Sequence, residues 1–205
     1  MELKRYIAVL LKWWWLILLA PAFGVIALWI KLDSRGPVFY RQQRIGLDGA
    51  PFALLKFRTM RPGSDRQGLL TVGGRDPRVT VAGYFLRKYK LDELPQLLNV
   101  LRGEMSLVGP RPEVEKYVNL YTPEQRKVLS VKPGLTDLAS LEYFDENALL
   151  AQSPDPEQTY IQEIMPAKLE LNRRYIESRS FRADLGIIFQ TLVRIFGRVE
   201  KLNGF

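Results

Sequence analysis

Two adjacent carboxylates, Asp92 and Glu93, follow a run of cations in LRKYKLDELPQLLN, where Arg87, Lys88 and Lys90 precede them. A carboxylate can act as a nucleophile, as an acid or base, or as a ligand of a hard cation such as Mg²⁺. Clustered Arg and Lys suit phosphate oxygens, which Arg can grip with two parallel bonds. Neighbouring helical residues point about 100° apart, so the two carboxylates can serve separate tasks. Further cations flank the pair. Lys56 and Arg58 occupy alternate positions in KFRTM, which on a strand share one face. Arg111 stands between Pro110 and Pro112 in SLVGPRPE, on a backbone stiffened from both sides. A stiff backbone limits the freedom lost when a guanidinium binds phosphate.

Each feature also has a plainer reading. An acidic pair opening a helix ordinarily caps free N–H groups and complements the helix dipole. Lys56 and Arg58 can be solvated surface charge, and Pro-Arg-Pro a structural turn. Composition narrows the choice. The 205 residues include neither Cys nor His. Disulfides, thiol nucleophiles, Cys-based zinc sites and Ser–His–Asp triads are therefore excluded. There is no GxxxxGK[ST] phosphate loop, GxGxxG, GxSxG elbow or DxD pair. Lys and Arg number 30 against 22 Asp and Glu, a formal net charge of +8. Such a balance points to an anionic partner: a phosphorylated substrate, an acidic membrane surface or nucleic acid. Carboxylates interleaved with the cations argue against nucleic acid.

The elements that must position these groups begin with WWWLILLAPAFGVIALWI, Trp13 to Ile30, which carries no charge. About 20 apolar residues cross a bilayer core, so a straight span is borderline. Pro21 and Gly24 near the centre, and basic flanks on both sides, favour a helix that enters one leaflet, bends and returns. Trp13 to Trp15 and Trp29 then lie at headgroup depth. A straight anchor is the rival path; the length, the Trp content and the lack of an A-x-A site disfavour a cleaved signal.

Beyond Gly36-Pro37, PVFYRQQRIG and APFALLKFRTM flank turn residues Gly46 to Gly49 and predict a β-hairpin. Arg61 to Thr80 reads as a loop. Leu94, Leu97, Leu98 and Leu101 share one face of a helix over 91–101, opposite a polar stripe of Asp92, Gln96 and Asn99. Asp92 is placed as its N-cap. Thr122-Pro123-Glu124-Gln125 starts another helix with a capping box. Ser153-Pro154-Asp155-Pro156 reads as a linker, and two helices are expected over 166–178 and 181–196. In the last, Phe181, Leu185, Ile188, Leu192 and Phe196 form a stripe facing either the core or a membrane interface. The fold class is α+β and mostly helical: a re-entrant membrane helix, a small hairpin and amphipathic interfacial helices around a catalytic core.

Three stretches, GPVFYRQQRIGLDGAPFALLKFRTM, DPRVTVAGYFLRKYKLDELPQLLNVLRGEMSLVGPRPE and VKPGLTDLASL, resemble the monotopic phosphoglycosyl transferases, or bacterial sugar transferases. The order of KFRTM, LDELPQLLNVL and SLVGPRP is specific to that family. The resemblance implies transfer of a sugar-1-phosphate from a UDP-sugar to polyprenyl (undecaprenyl) phosphate, yielding polyprenyl diphosphate sugar and UMP. That reaction begins exopolysaccharide, lipopolysaccharide or other glycoconjugate synthesis at the cytoplasmic face of the bacterial inner membrane. Asp92 would be the covalent nucleophile and a Mg²⁺ ligand, and Glu93 would handle the lipid phosphate. Lys56, Arg58, Arg87 and Arg111 would line the phosphate and nucleotide site, with Pro21 at the membrane bend. The implied organisation is an anchor over 1–35 and a catalytic domain over 36–205, a short single-activity member. A homodimer is compatible with this size. The family commonly shows Gly where Asp137 stands and often Gln where Ser140 stands, and Ala20 replaces the Ser often found before the bend. The rival class is a non-catalytic, membrane-tethered basic protein that binds acidic lipid or nucleic acid.

Overall fold

A computed structural model describes the main chain of residues 2–64, 68, 70–73 and 76–200, and side chains between residues 18 and 197 within those ranges. Helix α1, Glu2–Asp33, runs through Pro21 and ends where Asp33 accepts a hydrogen bond from Ala82 N at 3.0 Å. The hairpin follows as β1, Phe39–Ile45, and β2, Pro51–Phe57, antiparallel with Tyr40 opposite Lys56. Its turn, Leu47–Gly49, uses Asp48 and Gly49 at φ 54° and 77°, the left-handed region that short Asp and Gly tolerate best. The expected hairpin is therefore present, strand for strand.

Helix α2, Val81–Lys88, is capped by Thr80, whose Oγ1 accepts from Gly83 N. Gly83 has to be glycine, since a Cβ there would lie 2.0 Å from the Thr59 carbonyl oxygen. A 3₁₀ turn, Leu91–Glu93, then leads into α3, Gln96–Arg102. Strands β3, Ser106–Val108, and β4, Gly134–Thr136, pair in parallel and bracket the Pro-Arg-Pro turn. The two backbones approach so closely that a Cβ on Gly134 would meet Gly109 N at 2.2 Å. Between them lies α4, Glu115–Val118, and beyond them α5, Leu138–Glu142, α6, Glu146–Leu150, and α7, Pro156–Thr159. The long helices α8, Met165–Ser178, and α9, Phe181–Glu200, end the described chain close to their expected bounds.

Local signals hold in several places. The capping box at Thr122 is reciprocal: Gln125 N donates to Thr122 Oγ1 at 3.2 Å, and Thr122 N to Gln125 Oε1 at 2.9 Å. The turn it opens is 3₁₀, Gln125–Ser130. Asp155 caps α7, so Ser153 to Pro156 is a linker that doubles as a helix start. The loop expected over 61–80 is irregular where described, with one bridge between Met60 and Val79; residues 65–67, 69 and 74–75 of it lie outside the described residues.

Two packing groups hold the site. Ile26 and Ile30 of α1 bury against Phe57 and Leu86, with the Phe23 ring 5.0 Å from that of Phe57. A larger group around Tyr117, Val118, Leu150, Tyr160 and Leu169 backs it on the other side. The α9 stripe divides: Ile188 is partly buried and packs beside the buried Ile187, whereas Phe181, Leu185, Leu192 and Phe196 face out. Among the described residues no helix is long and apolar enough to cross a membrane. Side chains of Trp13 to Trp15, placed above at headgroup depth, lie outside the described residues.

Candidate active site

The acidic pair does not open a helix as a cap. Lys90 takes the left-handed conformation at φ 57°, Leu91–Glu93 forms the 3₁₀ turn, and Pro95, which has no N–H to satisfy, precedes α3. Asp92 makes no cap hydrogen bond; its side chain turns inward and is 7% exposed. A non-Gly residue in this backbone region costs on the order of 1 kcal/mol, and such positions collect around functional sites.

The expected polarity of α3 is also inverted. Asp92, Gln96 and Asn99 are buried, while Leu94, Leu97, Leu98 and Leu101 are only half-buried. The reason lies in β2, whose outer edge lacks a strand partner. Asn99 supplies one: its Oδ1 accepts from Leu55 N at 3.1 Å and its Nδ2 donates to the Ala53 carbonyl at 2.8 Å. One side-chain amide thus satisfies both backbone groups flanking Leu54 and locks the dyad against the strand that carries Lys56.

Arg111 reaches the dyad from the Pro-Arg-Pro turn. Its guanidinium is bidentate on Glu93, with Nη1 on Oε2 at 3.2 Å and Nη2 on Oε1. Burial works to raise the Glu93 pKa, but Arg111, Lys90 and Lys56 outweigh it and hold the carboxyl well below the usual range. Asp92 goes the other way. Burial, then the neighbouring Glu93 charge, push it up against the pull of Lys56, Lys90 and Arg87. Two carboxylates one residue apart are thereby driven to different acidities, a pattern typical of a site that assigns them different work. Asp92 Oδ1 and Gln96 Nε2 are buried without a hydrogen-bond partner.

The cations divide. Lys56 makes no hydrogen bond to another described residue, and burial brings its ammonium down to about 8. Arg87 donates to Thr59 Oγ1 at 2.9 Å and Thr71 Oγ1 at 3.1 Å and faces the Asp92 charge. Arg58, grouped with Lys56 by sequence, is spent elsewhere. Its Nε, Nη1 and Nη2 donate to the carbonyls of Pro37, Arg35 and Ser34 at 2.6, 2.8 and 2.8 Å. It clasps the chain just past the α1 terminus to the hairpin, so its contribution is to architecture. It shares the cavity wall with Lys56, Arg87, Asp92, Glu93 and Arg111. That cavity is about 1380 Å³, large enough for a drug-sized or larger ligand.

Among the described residues no group of three or more acidic, His or Cys side chains could hold a metal. The dyad alone suits Mg²⁺, which commonly binds one or two carboxylates and takes its other ligands from substrate phosphates and water. The unpartnered Asp92 Oδ1 is the oxygen available for it; both Glu93 oxygens are committed to Arg111.

Sequence reasoning missed Asp137. It is wholly buried, accepts from Ser140 N at 2.7 Å and Arg111 N at 3.2 Å, and receives Asn172 Nδ2 at 2.9 Å. The carboxylate thus fixes the main chain of the arginine that fixes Glu93.

Comparison with known proteins identifies relatives of the chain. The family model described as bacterial sugar transferase matches residues 1–198. The chain is 40% identical over 178 residues to the UDP-glucose:undecaprenyl-phosphate glucose-1-phosphate transferase of Caulobacter vibrioides, covering 85% of this chain and 62% of that protein. Identity to the Escherichia coli protein of the same description is 37% over 198 residues, 95% of this chain and 40% of the relative. The exopolysaccharide production protein ExoY of Sinorhizobium fredii is 37% identical, over 92% of this chain and 83% of its own length. The chain therefore spans less than two thirds of the first two relatives. On the family match and the shared length with ExoY, it belongs to the bacterial sugar transferases.

Proposed function

We propose that the chain transfers a sugar-1-phosphate from a UDP-sugar to polyprenyl phosphate, releasing UMP and starting a bacterial surface glycan. The observation that carries this reading is the buried, unpartnered carboxylate oxygen of Asp92 set among Lys56, Arg87 and Arg111 in one large cavity. Relatives described as glucose-1-phosphate transferases to undecaprenyl phosphate support the substrate classes. A non-catalytic basic tether gives no reason to bury Asp92 at the expense of stability.

In the proposed chemistry, Asp92 attacks the phosphorus that carries the sugar. The bond from that phosphorus to the bridging oxygen breaks, and UMP leaves with the electron pair. An oxygen of polyprenyl phosphate then attacks the acyl phosphate, restoring the Asp92 carboxylate and giving polyprenyl diphosphate sugar. Splitting one displacement into two lets a soluble donor and a lipid acceptor use the site in turn. Mg²⁺ on Asp92, when bound, would neutralise the diphosphate and favour the ionised carboxylate. Lys56 and Arg87 bind donor phosphate oxygens. Glu93, ionised throughout, holds Arg111 at the angle from which it receives the acceptor phosphate.

A membrane surface supplies the acceptor. Leu18, Val25, Leu28 and Leu32 of α1 are exposed, as are Phe181, Phe189 and Phe196 of α9. Apolar side chains in such numbers on a soluble face are unfavourable and suit an interfacial position. We take residues 1–35 as the anchor and the re-entrant path with its bend at Pro21 as its course, with the catalytic part of the chain on the cytoplasmic face of the inner membrane. A Cys introduced at position 3 and one at position 35 should label from the same side; labelling from opposite sides means a straight crossing.

The test of function is UMP release from a panel of UDP-sugars. Continuous release requires polyprenyl phosphate and Mg²⁺ together; salt-sensitive binding of acidic vesicles without turnover defeats the proposal. The alkaline limb of the pH profile is set by Lys56. Its ammonium is charged below about 8 and lost above, so kcat/KM falls as pH rises through about 8. Lys56→Arg, whose guanidinium stays charged, should move that limb upward; an unmoved limb assigns it to another group.

A further inference from the structure

The cavity wall also includes Asn172 and Lys168 of α8 and Glu146 of α6. Asn172 is 4% exposed, and its Oδ1 is buried without a hydrogen-bond partner. The orientation of this amide follows from its neighbour. Asp137 Oδ1 accepts from Ser140 N, and its Oδ2 accepts from both Arg111 N and Asn172 Nδ2. Facing a carboxylate whose oxygens take only N–H donors, Asn172 must present its nitrogen to it. Its carbonyl oxygen is thereby reserved as an acceptor on a residue that lines the cavity. The charges beside it are settled, since Lys168 pairs with Glu146 at 2.6 Å with both side chains largely buried. An oriented acceptor beside a neutralised pair suits a neutral O–H donor; carboxylates and phosphates bring no donor to it. The position is coupled to the reacting groups, because the same Asp137 holds the Arg111 main chain and Arg111 grips Glu93.

Resting on the UDP-sugar reading above, we infer that Asn172 is a specificity-determining residue whose Oδ1 accepts one hydroxyl of the donor's sugar ring. Asp137 and the Lys168–Glu146 pair orient and neutralise that part of the cavity. A sugar lacking the hydroxyl leaves the Asn172 oxygen buried and unbonded, which costs more than losing a solvent-exposed contact.

The test uses the full chain in detergent or nanodiscs. The UDP-hexose that the wild type turns over fastest is compared with its monodeoxy analogues. The wild type should handle one deoxy analogue at least about tenfold less efficiently in kcat/KM, the effect of one hydrogen bond. Asn172→Leu, which keeps the branched outline and removes the acceptor together with the bond to Asp137, should bring that ratio close to one while slowing the parent donor. Asn172→Ala, which also removes the acceptor, serves instead if the Leu variant loses the wild-type melting transition. A wild type indifferent to every deoxygenation overturns the inference without any variant. So does a variant that slows all donors equally and keeps the wild-type ratio, because packing damage alone does that. Failure of the wild type to release UMP from any UDP-sugar strikes the donor reading instead and is recognised separately.

Discussion

Asp92→Asn should lower turnover by on the order of 10³-fold or more and yet raise the melting temperature. The loss follows from removing a nucleophile, which no neighbouring group replaces. The gain follows from the sign of the Asp92 shift. Burial and Glu93 raise its pKa in the folded chain above the unfolded value. The folded state therefore binds the proton more tightly, and that stability is present at acid pH and lost as pH rises through the raised pKa. Above that raised pKa the ionised Asp92 opposes folding, and a neutral amide relieves it. For a chain of this length each kcal/mol recovered moves the midpoint by about 2–4 °C. Calorimetry and UMP release on the same preparation test both halves. A variant that loses activity and stability together makes Asp92 a structural residue.

Arg111→Ala is the second large effect, and here stability and activity fall together. Glu93 would keep its buried charge with its bidentate partner removed. Stranding one member of a buried pair costs about 3 kcal/mol or more. The low end applies, because the Arg111 side chain is 31% exposed. A drop of roughly 6 °C or more in melting temperature follows. Adding Glu93→Gln to Arg111→Ala should restore most of the stability and none of the turnover, which separates folding from chemistry in a double-mutant cycle. Recovery of turnover in the double variant would mean that Arg111 does no more than neutralise Glu93.

These opposite outcomes reflect how the site is built. Glu93 and Arg111 stabilise each other, while burial raises the cost of keeping Asp92 and Lys56 charged, and the Glu93 charge adds to that cost for Asp92. Active sites commonly carry such local destabilisation, supported by packing elsewhere. Here the support is visible in the Asn99 amide on the edge of β2, in Gly134 against Gly109 and in Asp137 behind Arg111.

The parts legible in the sequence were those governed by neighbours in the chain. Strand-like runs on either side of the turn residues Gly46 to Gly49 predict the hairpin, Thr122 and Gln125 predict their own reciprocal bonds, and an apolar stripe marks α9. The company of Asp92, Glu93, Lys56, Arg87 and Arg111 was legible from residue types. What the sequence concealed depends on distant partners. Whether Arg58 meets a phosphate or three carbonyls is decided by where the chain leaving α1 passes, more than 20 residues away. An Asp before Glu at an apparent helix start looks like a cap until Lys90 takes a left-handed turn. Asn99 looked like the solvent side of α3 because the open edge of β2 cannot be seen from α3 alone. Asp137, a departure from the family pattern, gave no local sign that it would bond to both Arg111 and Asn172.

Whether Asp92 becomes covalently linked to the transferred phosphosugar is read by intact-mass analysis with donor alone. Incubated with a UDP-sugar and Mg²⁺ in the absence of polyprenyl phosphate, the chain should release at most one equivalent of UMP. It should gain the mass of one sugar phosphate, mapped to the peptide that contains Asp92, and lose it when polyprenyl phosphate is added. UMP formed only when the acceptor is present, with no mass gained on the protein, would mean direct transfer from donor to lipid without an aspartyl intermediate.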